Sequence, residues 1–190
     1  MRTPYWAIIS VCWAVFWIYW SFATPRRQPT KRRAARAFTV LNTGLLYLSF
    51  VLILLGRSVL GSLGRLVVPQ AVLIDVMGTA FAITGVAFAI WSRQLLRNNW
   101  SGVVAITEGQ QFIQSGPYTI VRHSIYAGML LALLGTTLVA STVGSLLGFG
   151  LAIVSLWQKA RIEEQFLMVE FGEQYSKYQS EVNFLVPFIF

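Results

Sequence analysis

Polar side chains suited to holding a charged ligand lie at two places in an otherwise apolar chain. The first is Gly116–Tyr126, in which Arg122 and His123 are adjacent and His123 is the only histidine. The stretch that follows, residues 124–158, has no charged residue. An arginine–histidine pair at the edge of a membrane-sized apolar run predicts a polar site at the level of the lipid headgroups.

A second polar cluster lies near the C-terminus, where Glu163 and Glu164 are adjacent within a segment of helical periodicity, Arg161–Tyr178. A 3.6-residue period places Glu164 at the head of an apolar stripe. The stripe continues through Leu167, Phe171, Tyr175 and Tyr178. A carboxylate on a packed face is costly unless a cation or a hydrogen-bond donor meets it. The pattern therefore predicts a partner for Glu164, and the candidates are Arg122, Arg161 and a bound cationic ligand.

Plainer interpretations of both clusters stay open on these residues alone. Arg122 and His123 also fit a pair of snorkelling interfacial side chains with no chemistry. Glu163 and Glu164 also fit an ordinary solvated helix face. Gly172 weakens the helix that carries the glutamates, and we expect a bend at that residue.

The composition decides what kind of protein must position these clusters. Hydrophobic residues make up 56% of the 190 residues and charged residues only 12%. The mean hydropathy is +0.62. A soluble domain of this length cannot bury so much apolar surface, so the chain is predicted to be a polytopic membrane protein.

The net charge of +8 does not indicate nucleic-acid binding, because of where the charge lies. Six of the fifteen Lys and Arg residues fall within Arg26–Arg36, between two apolar runs. Such a loop is typical of the cytoplasmic side of a membrane, where it faces anionic lipid. Basic patches that bind nucleic acid normally lie on soluble folds, so no nucleic-acid partner is expected.

Runs of about 20 apolar residues predict the membrane-spanning helices. The stretch 124–158 is too long for one such helix and breaks at Ser141-Thr142, which predicts a tight hairpin of two short arms. These arms either cross the bilayer or form a re-entrant pair. The predicted fold class is therefore an all-α polytopic membrane helix bundle of about five segments. The three earlier spans are Tyr5–Ala23, Val40–Leu55 and Val72–Trp91.

The positive-inside rule orients this bundle. With Arg26–Arg36 in the cytoplasm, the N-terminus lies outside, and the segment Asn98–His123 and the C-terminal tail are cytoplasmic. We expect one domain over residues 1–190, with a three-helix part at 1–96 and a catalytic part at 97–190. No Gly-rich strand–turn–helix unit is present, which argues against a Rossmann-type fold. One histidine and the distant Cys12 give no ligand cluster, so no metal is expected.

Several short motifs are weak singly but more specific in their order and spacing. They are Asn98-Asn99-Trp100-Ser101, Gly116-Pro117-Tyr118, Val121-Arg122-His123-Ser124-Ile125-Tyr126, Glu163-Glu164, Phe171-Gly172-Glu173-Gln174-Tyr175 and Tyr178. Through them, about residues 95 to 188 resemble the isoprenylcysteine carboxyl methyltransferase family, part of a broader group of integral-membrane methyltransferases that includes phospholipid N-methyltransferases. Family members commonly carry proline where this chain has Ser124, and we expect serine to start the helix as its N-cap.

The resemblance implies S-adenosyl-L-methionine as methyl donor, held in a cytosolic pocket between the Arg-His segment and the double-glutamate helix. It also implies a lipid-like acceptor that arrives from the inner leaflet. By the same resemblance Arg122 and Glu164 are catalytic, and Arg97, Asn99 and Trp100 contact the acceptor. The cofactor-binding residues that it implies are Gly116, Tyr118, Arg122, His123, Tyr126, Glu163 and Glu164.

The residues leave the class of acceptor open. A carboxylate is already nucleophilic at neutral pH and needs only an orienting cation, for which Arg93, Arg97 and Arg122 are candidates. A phospholipid amine must first lose a proton to a glutamate or tyrosine. Motif similarity favours carboxyl O-methylation of an isoprenylcysteine-type substrate, and a phosphatidylethanolamine-type N-methyltransferase is the alternative. The expected partners are a prenylated or other lipid-like acceptor and membrane lipids.

A non-enzymatic transporter or scaffold subunit is the remaining alternative. A transport path favours polar residues near the middle of the membrane. The first three predicted spans carry only Asp75 as an acidic candidate, and it lies near the end of a span. The polar residues cluster at one edge of the bundle instead, which favours an enzyme.

Overall fold

The structure is a computed structural model that describes residues 3–23, 29–55, 61–67, 69 and 71–186. Within these residues the chain forms five α-helices and a two-stranded antiparallel ribbon, which confirms the predicted all-α bundle. The helices are α1 Thr3–Phe22, α2 Arg36–Leu55, α3 Val72–Leu96, α4 Ser124–Ala140 and α5 Val143–Glu181. The strands are β1 Thr30–Arg33 and β2 Ala105–Thr107, and short 3-10 turns lie at Gly61–Gly64, Arg97–Asn99 and Gly116–Thr119.

Four of these helices, α1, α2, α3 and α5, are long and apolar enough to cross a membrane. The fifth, α4, has 17 residues and is also apolar. Large hydrophobic side chains such as Val11, Leu41 and Leu73 are more than half exposed on the outer faces, as expected of helices in contact with lipid. The three earlier spans are confirmed, and their helices extend beyond the predicted ends by up to five residues.

The predicted break at Ser141-Thr142 is confirmed. Ser141 has φ 55°, and Thr142 caps α5 with a reciprocal pair of hydrogen bonds to Ser145. The prediction of two short arms is wrong for the second arm, because α5 continues past Gln158 into the segment predicted as a separate helix, Arg161–Tyr178. The expected bend at Gly172 is confirmed, since that residue has non-helical backbone angles within α5. No Gly or Pro lies between Gln158 and Arg161, so nothing ends the helix there.

The α4–α5 hairpin runs the full length of the bundle. Its turn forms a bridge between Thr142 and Leu66, a residue of the α2–α3 connection. The Val67 N–H donates to the Ser141 carbonyl at 2.9 Å, and the Val143 N–H donates to the Arg65 carbonyl at 3.0 Å. The hairpin turn and the α2–α3 connection therefore share one end of the bundle.

Small residues let α3 and α4 approach closely along a surface that we call the seam. A Cβ added to Gly85 would lie 2.4 Å from the Ala132 nitrogen, and one added to Gly135 would lie 2.2 Å from the Gly78 oxygen. Backbones this close exclude any side chain at those positions, and close approach is how helices gain van der Waals contact inside a membrane. The seam consists of Gly78, Ala82, Gly85 and Ala89 on α3 and Gly128, Ala132 and Gly135 on α4.

Close packing also occurs at Gly148, where α5 meets α2. A Cβ at that position would lie 2.7 Å from the Ser49 oxygen. Nearby, the Asn42 side-chain amide donates to the Ser155 carbonyl at 2.8 Å, and the Ser155 hydroxyl donates to the Asn42 carbonyl at 3.1 Å. This reciprocal pair satisfies buried polar groups where no water is expected.

The other end of the bundle carries the polar segments, and we call this end the cap. The strand β1, from the α1–α2 connection, pairs with β2, from the α3–α4 connection. A parallel bridge joins Val121, just before α4, to Asn183, just after α5. The segments predicted to share one face therefore do lie at one end, comprising residues 29–35, 97–123 and 159–186.

Candidate functional site

A buried ion pair forms the centre of the cap. Arg122 Nε lies 2.8 Å from Glu164 Oε1, and the two side chains are only 11% and 7% exposed. The Tyr175 hydroxyl donates to the same carboxylate oxygen at 3.3 Å. Arg122 Nη1 also donates to the carbonyls of Gln179, at 3.0 Å, and Val182. The expectation that Glu164 meets a cationic partner is confirmed, and that partner is Arg122.

The single histidine lies between the two glutamates. His123 Nδ1 is 3.7 Å from Glu163 Oε2, and Nε2 is 3.6 Å from Glu164 Oε1. Both separations exceed a hydrogen-bond distance. His123 Nε2 is buried and has no hydrogen-bond partner within the described residues. A buried polar atom in this condition marks a place where a further group is needed.

Glu163 has a different setting from its neighbour. Its Oε1 accepts a 2.5 Å hydrogen bond from the Tyr126 hydroxyl, and its side chain is 24% exposed. The Tyr126 ring lies parallel to the His123 ring at 5.7 Å, and Lys159 Nζ lies 5.3 Å from its centre. Glu164 thus belongs to a buried ionic cluster, whereas Glu163 is partly exposed to the pocket.

The turn before α4 brings Tyr118 into the site. Gly116 has φ 61°, and a Cβ there would lie 2.6 Å from a Leu95 methyl carbon, so this turn requires glycine. The Tyr118 hydroxyl donates to the Ser92 carbonyl at 3.3 Å, and the Tyr178 hydroxyl donates to the Tyr118 carbonyl at 2.6 Å. Burial, and after it the charge of nearby Glu163, raises the pKa of the Tyr118 hydroxyl above its ordinary value, so it stays protonated.

These residues surround a pocket of about 880 Å³, measured out to its open mouth. Three of the residues with predicted roles lie outside its wall: Gly116 shapes the turn behind Tyr118, Glu164 lies behind Arg122 and His123, and Arg97 is exposed at the end of α3. The residues with predicted roles that line it are Asn99, Trp100, Tyr118, Arg122, His123, Tyr126 and Glu163.

Sequence reasoning missed the segment Val103–Ile113, which forms another side of the pocket. Phe112 stacks on Phe171 with ring centres 5.0 Å apart, and it meets Tyr178 edge-on at 5.2 Å. The sequence offered two signals in this connection, which are the apolar run Val103-Val104-Ala105-Ile106 and the pair Phe112-Ile113. The contacts depend on the long-range folding of this loop onto α5, which spacing along the chain does not reveal.

Arg93, one of the candidate cations for orienting a carboxylate, is buried at the cap end of α3 and is not part of the pocket wall. It is 3% exposed, and its guanidinium donates to the carbonyls of Arg97, at 2.7 Å, and Ala23. Its carbon Cζ lies 4.4 Å from the centre of the Trp100 ring. Arg93 therefore joins the ends of α1 and α3 and supports Trp100, a residue of the pocket wall.

Ser124 starts α4, but not as the N-cap that we expected. The N-cap position is His123, whose side chain makes no capping hydrogen bond. Ser124 is the first helical residue, and its hydroxyl donates to the Val121 carbonyl at 2.6 Å. This first position is the one that proline favours, because its N–H has no partner within the helix.

The sequence model of the phospholipid methyltransferase family matches residues 73–174, more than half of the chain. This protein belongs to the phospholipid methyltransferase family. The matched region begins with α3, about one helix earlier than the motifs indicated, and it contains the seam and both glutamates. No group of three or more metal-ligating side chains occurs among the residues that the structure describes.

Individual members of related families match over shorter stretches. A methanethiol S-methyltransferase of Pseudomonas sp. (strain GM41(2012)) is 38% identical over 82 residues, which cover 43% of this chain and 31% of that protein. Protein-S-isoprenylcysteine O-methyltransferase B of Arabidopsis thaliana is 30% identical over 83 residues, which cover 43% of this chain and 42% of that protein. The matched stretches thus span less than half the length of these relatives.

A solved structure shares the fold over a larger part of the chain. The eukaryotic intramembrane Ras methyltransferase ICMT, an isoprenylcysteine carboxyl methyltransferase, matches with a TM-score of 0.58. The match covers 80% of this chain and 53% of that one at 20% sequence identity. The resemblance to isoprenylcysteine carboxyl methyltransferases that the motifs predicted is confirmed.

Proposed function

We propose that this protein transfers a methyl group from S-adenosyl-L-methionine to a lipid-like acceptor at the membrane interface. The observation that carries the proposal is the pocket of the cap. Its polar wall, formed by Tyr118, His123, Tyr126 and Glu163, lies within the region matched by the family. The pocket is at the end of a bundle of helices suited to a membrane, where a lipid-like molecule and a soluble cofactor can meet.

The chemistry of the pocket fits S-adenosyl-L-methionine, which carries a cationic sulfonium, an ammonium, a carboxylate and an adenosine. Aromatic faces and one partly exposed carboxylate, Glu163, attract cations. His123 Nε2 is a buried nitrogen in need of a partner. Aromatic walls from Phe112 and Phe166 suit a purine ring. The cofactor supplies a methyl group bonded to a positively charged sulfur, which makes that methyl electrophilic.

We assign the cofactor to His123, Tyr126, Glu163 and Tyr118, with Gly116 shaping the turn. Arg122 and Glu164 are the ion pair on which this arrangement depends. Because Arg122 donates to the carbonyls of Gln179, near the end of α5, and of Val182, just after α5, it also holds the C-terminal tail against the start of α4. Methyl transfer is an in-line displacement, so rate enhancement comes mainly from holding donor and acceptor in line and from excluding water. A buried, fully paired Arg122–Glu164 unit provides that rigidity.

For the acceptor we first propose the carboxylate of an isoprenylcysteine-type lipid. Two O-methyltransferase relatives that act on protein S-isoprenylcysteine, and the shared fold, support it. Asn99 and Trp100 lie on the pocket wall and are assigned to this acceptor. Arg97, exposed just before them, supplies a cation for a carboxylate that approaches from the membrane surface. A phosphatidylethanolamine-type amine is the alternative.

A thiol is a second candidate acceptor, and two observations favour it. Methanethiol S-methyltransferase relatives are 37% to 42% identical over the matched stretches, whereas the O-methyltransferase relatives are 30% and 32% identical. A thiol must lose its proton to become a good nucleophile. Glu163 faces the pocket and is hydrogen-bonded to Tyr126, so this carboxylate is placed to receive a proton.

The positive-inside rule gives the proposed orientation in the membrane. The cap contains the basic strand β1 and therefore faces the cytoplasm. The pocket can then take S-adenosyl-L-methionine from the cytoplasm. The N-terminus and the hairpin turn at Ser141-Thr142 then lie on the opposite side. This orientation can be tested by introducing cysteines at exposed Ser180, in the cap, and at exposed Ser62, at the other end. Their accessibility is then measured in intact cells.

Binding of S-adenosylhomocysteine is the first test of the proposed function. We expect saturable one-site binding by isothermal titration calorimetry of the full chain in lipid nanodiscs. Glu164→Gln should weaken it, whereas Glu181→Gln, in an exposed ion pair, should not. No binding by folded wild-type protein contradicts the proposal and favours the transporter or scaffold alternative.

The acceptor is tested with S-adenosyl-L-methionine labelled in its methyl group. A prenylated cysteine analogue, phosphatidylethanolamine and a long-chain alkanethiol are offered in parallel. Label in a base-labile ester supports the carboxylate, label in a thioether supports the thiol, and label in the phospholipid supports the amine. Glu163→Gln should abolish transfer to a thiol more than transfer to a carboxylate, because only the thiol has a proton to lose.

A further inference from the structure

We propose that the exposed face of β1 binds the headgroups of anionic phospholipids and that this contact steadies one wall of the pocket. All four residues of β1, Thr30–Arg33, are exposed. Three of them are basic, and Arg36 follows as the first residue of α2. The sequence from Ala23 to Arg36 contains no acidic residue, so this connection has a strong net positive charge.

The position of β1 in the bundle favours a membrane surface as the binding partner. The candidate span α1 ends at Phe22, and the candidate span α2 begins at Arg36. Because β1 lies between the ends of two spans, its side chains are within a few residues of the bilayer surface. Lys and Arg at this level attract anionic headgroups, and the attraction decays within a Debye length.

Two of the basic residues of β1 already have partners on α5. Lys31 Nζ lies 2.7 Å from Glu170 Oε1, and the Arg32 guanidinium lies 4.9 Å from the centre of the Phe166 ring. Within the described residues, no acidic side chain lies within ion-pair distance of Arg33 or Arg36. The first turn of α2 likewise contains no acidic residue. Arg33 and Arg36 therefore carry charge that an anionic headgroup would compensate.

The backbone connects this basic face to the pocket through a single strand pairing. Arg33 is paired with Ala105 in the ribbon, and the Ala34 N–H donates to the Val104 carbonyl at 2.9 Å. Val104, Ala105 and Ile106 all line the pocket. A headgroup that holds β1 in place thus limits the opening of β2, which is the strand in contact with the pocket.

Hydrogen exchange of the full chain in nanodiscs tests the proposal without any cofactor. Discs contain phosphatidylcholine alone or phosphatidylcholine mixed with phosphatidylglycerol. We expect amides of the β1–β2 ribbon, including that of Ala34, to exchange about fivefold more slowly in the anionic discs, at the low end of typical coupling between two sites. Native mass spectrometry of the same discs should show phosphatidylglycerol retained in preference to phosphatidylcholine.

Matched variants separate a specific surface from a general effect of charge. Arg33→Gln with Arg36→Gln should remove the difference between the two kinds of disc, and Arg33→Lys, which keeps the charge, should preserve it. Arg65→Gln removes an exposed charge from the opposite end of the bundle and should leave the difference unchanged.

Three results would overturn the proposal: equal exchange in both discs, an equal effect of Arg65→Gln, or the same protection from inorganic phosphate in neutral discs. Because the readout is ribbon exchange, these results are independent of whether the pocket binds S-adenosylhomocysteine. A protein that binds the cofactor but shows no lipid dependence refutes only the lipid surface. The converse pattern refutes only the methyltransferase assignment.

Discussion

In the α3–α4 seam, two helices touch through backbone atoms and methyl groups, whereas in the cap the chain is joined by charged and aromatic side chains. Gly85 and Gly135 leave no space for even one added carbon. Arg122, by contrast, reaches a carboxylate and two carbonyls with one guanidinium. The helices of the seam pack closely because glycine and alanine have little or no side chain. The segments of the cap are held together by charged and aromatic side chains.

The difference follows from the surroundings of each region. In lipid, the hydrophobic effect hardly favours helix–helix contact over helix–lipid contact, because both surroundings are apolar. Close approach and the dispersion attraction that it allows therefore stabilise the helix pair. The cap borders water, and its polar groups must be satisfied by each other where they are buried. We therefore expect changes in the seam to affect the whole bundle, and changes in the cap to affect the pocket first.

The largest effect is expected from Arg122→Gln in the cap. This change leaves Glu164 buried without its closest cation, with only the exposed Arg161 at 3.8 Å. Breaking a buried pair typically costs about 3–5 kcal/mol. Thermal unfolding in detergent and S-adenosylhomocysteine affinity should both fall. Lys177→Gln, which breaks an exposed pair with Glu181, is the matched control and should change neither. Unchanged stability in Arg122→Gln would show that the ion pair does not hold the cap together.

The next effect is expected from Gly85→Ala in the seam. The added methyl would meet the Ala132 backbone at 2.4 Å, and overpacking of this kind costs about 1–3 kcal/mol. Gly150→Ala on α5 adds the same methyl where nothing lies within 4 Å, so it should be neutral or should stabilise by up to about 1 kcal/mol through helix propensity. A lower unfolding temperature for Gly85→Ala, with no decrease for Gly150→Ala, would establish that the seam depends on close packing. Equal shifts in the two variants would contradict it.

A similar cost with a more local effect is expected where α5 bends. Gly172 has φ 50° and ψ −124°, and a Cβ there meets nothing within 4 Å. Gly172→Ala therefore tests backbone strain alone, at a cost of about 1–3 kcal/mol. Because Tyr175 and Tyr178 lie beyond the bend, hydrogen exchange of residues 173–181 should quicken while that of α3 and α4 stays the same. Faster exchange throughout the bundle would contradict the separation of cap from seam.

The smallest change in stability is expected from Tyr126→Phe. It removes one hydrogen bond to Glu163, worth about 1 kcal/mol, and leaves the ring stacked on His123. Affinity for S-adenosylhomocysteine should fall while the unfolding temperature barely moves. Tyr47→Phe, on an exposed face of α2, controls for loss of a hydroxyl. A large loss of stability without loss of affinity would place Tyr126 in the core rather than in the site.

Helices were predictable from the sequence because membrane spans leave a strong local signal. The run of apolar residues gave α1 to α3, and the bend at Gly172 followed from its weak helix propensity. The length of α5 was not predictable in the same way. The change from an apolar run to an amphipathic periodic segment after Gln158 suggested two separate helices. No residue between Gln158 and Arg161 ends a helix, so the two segments form one.

The pairing of Arg122 with Glu164 was partly predictable, since a carboxylate on an apolar stripe requires a cation. The choice of Arg122 over Arg161 was not. Arg161 Nη1 lies 3.8 Å from Glu164 Oε2, but its side chain is 56% exposed. Which of two candidate cations is buried against the carboxylate depends on how α4 and α5 pack, and no spacing along the chain contains that information.

The sequence by itself determined that this is a helical membrane protein with its polar chemistry at one edge, because hydropathy, charge distribution and periodicity are local properties. It also determined the family, because the order of the motifs is preserved along the chain. Only the tertiary structure decided that Phe112 and β2 line the pocket, that Arg93 supports Trp100, and that Glu163 and Glu164 have separate settings. These are contacts between segments far apart in the chain, and packing of the whole bundle selects them.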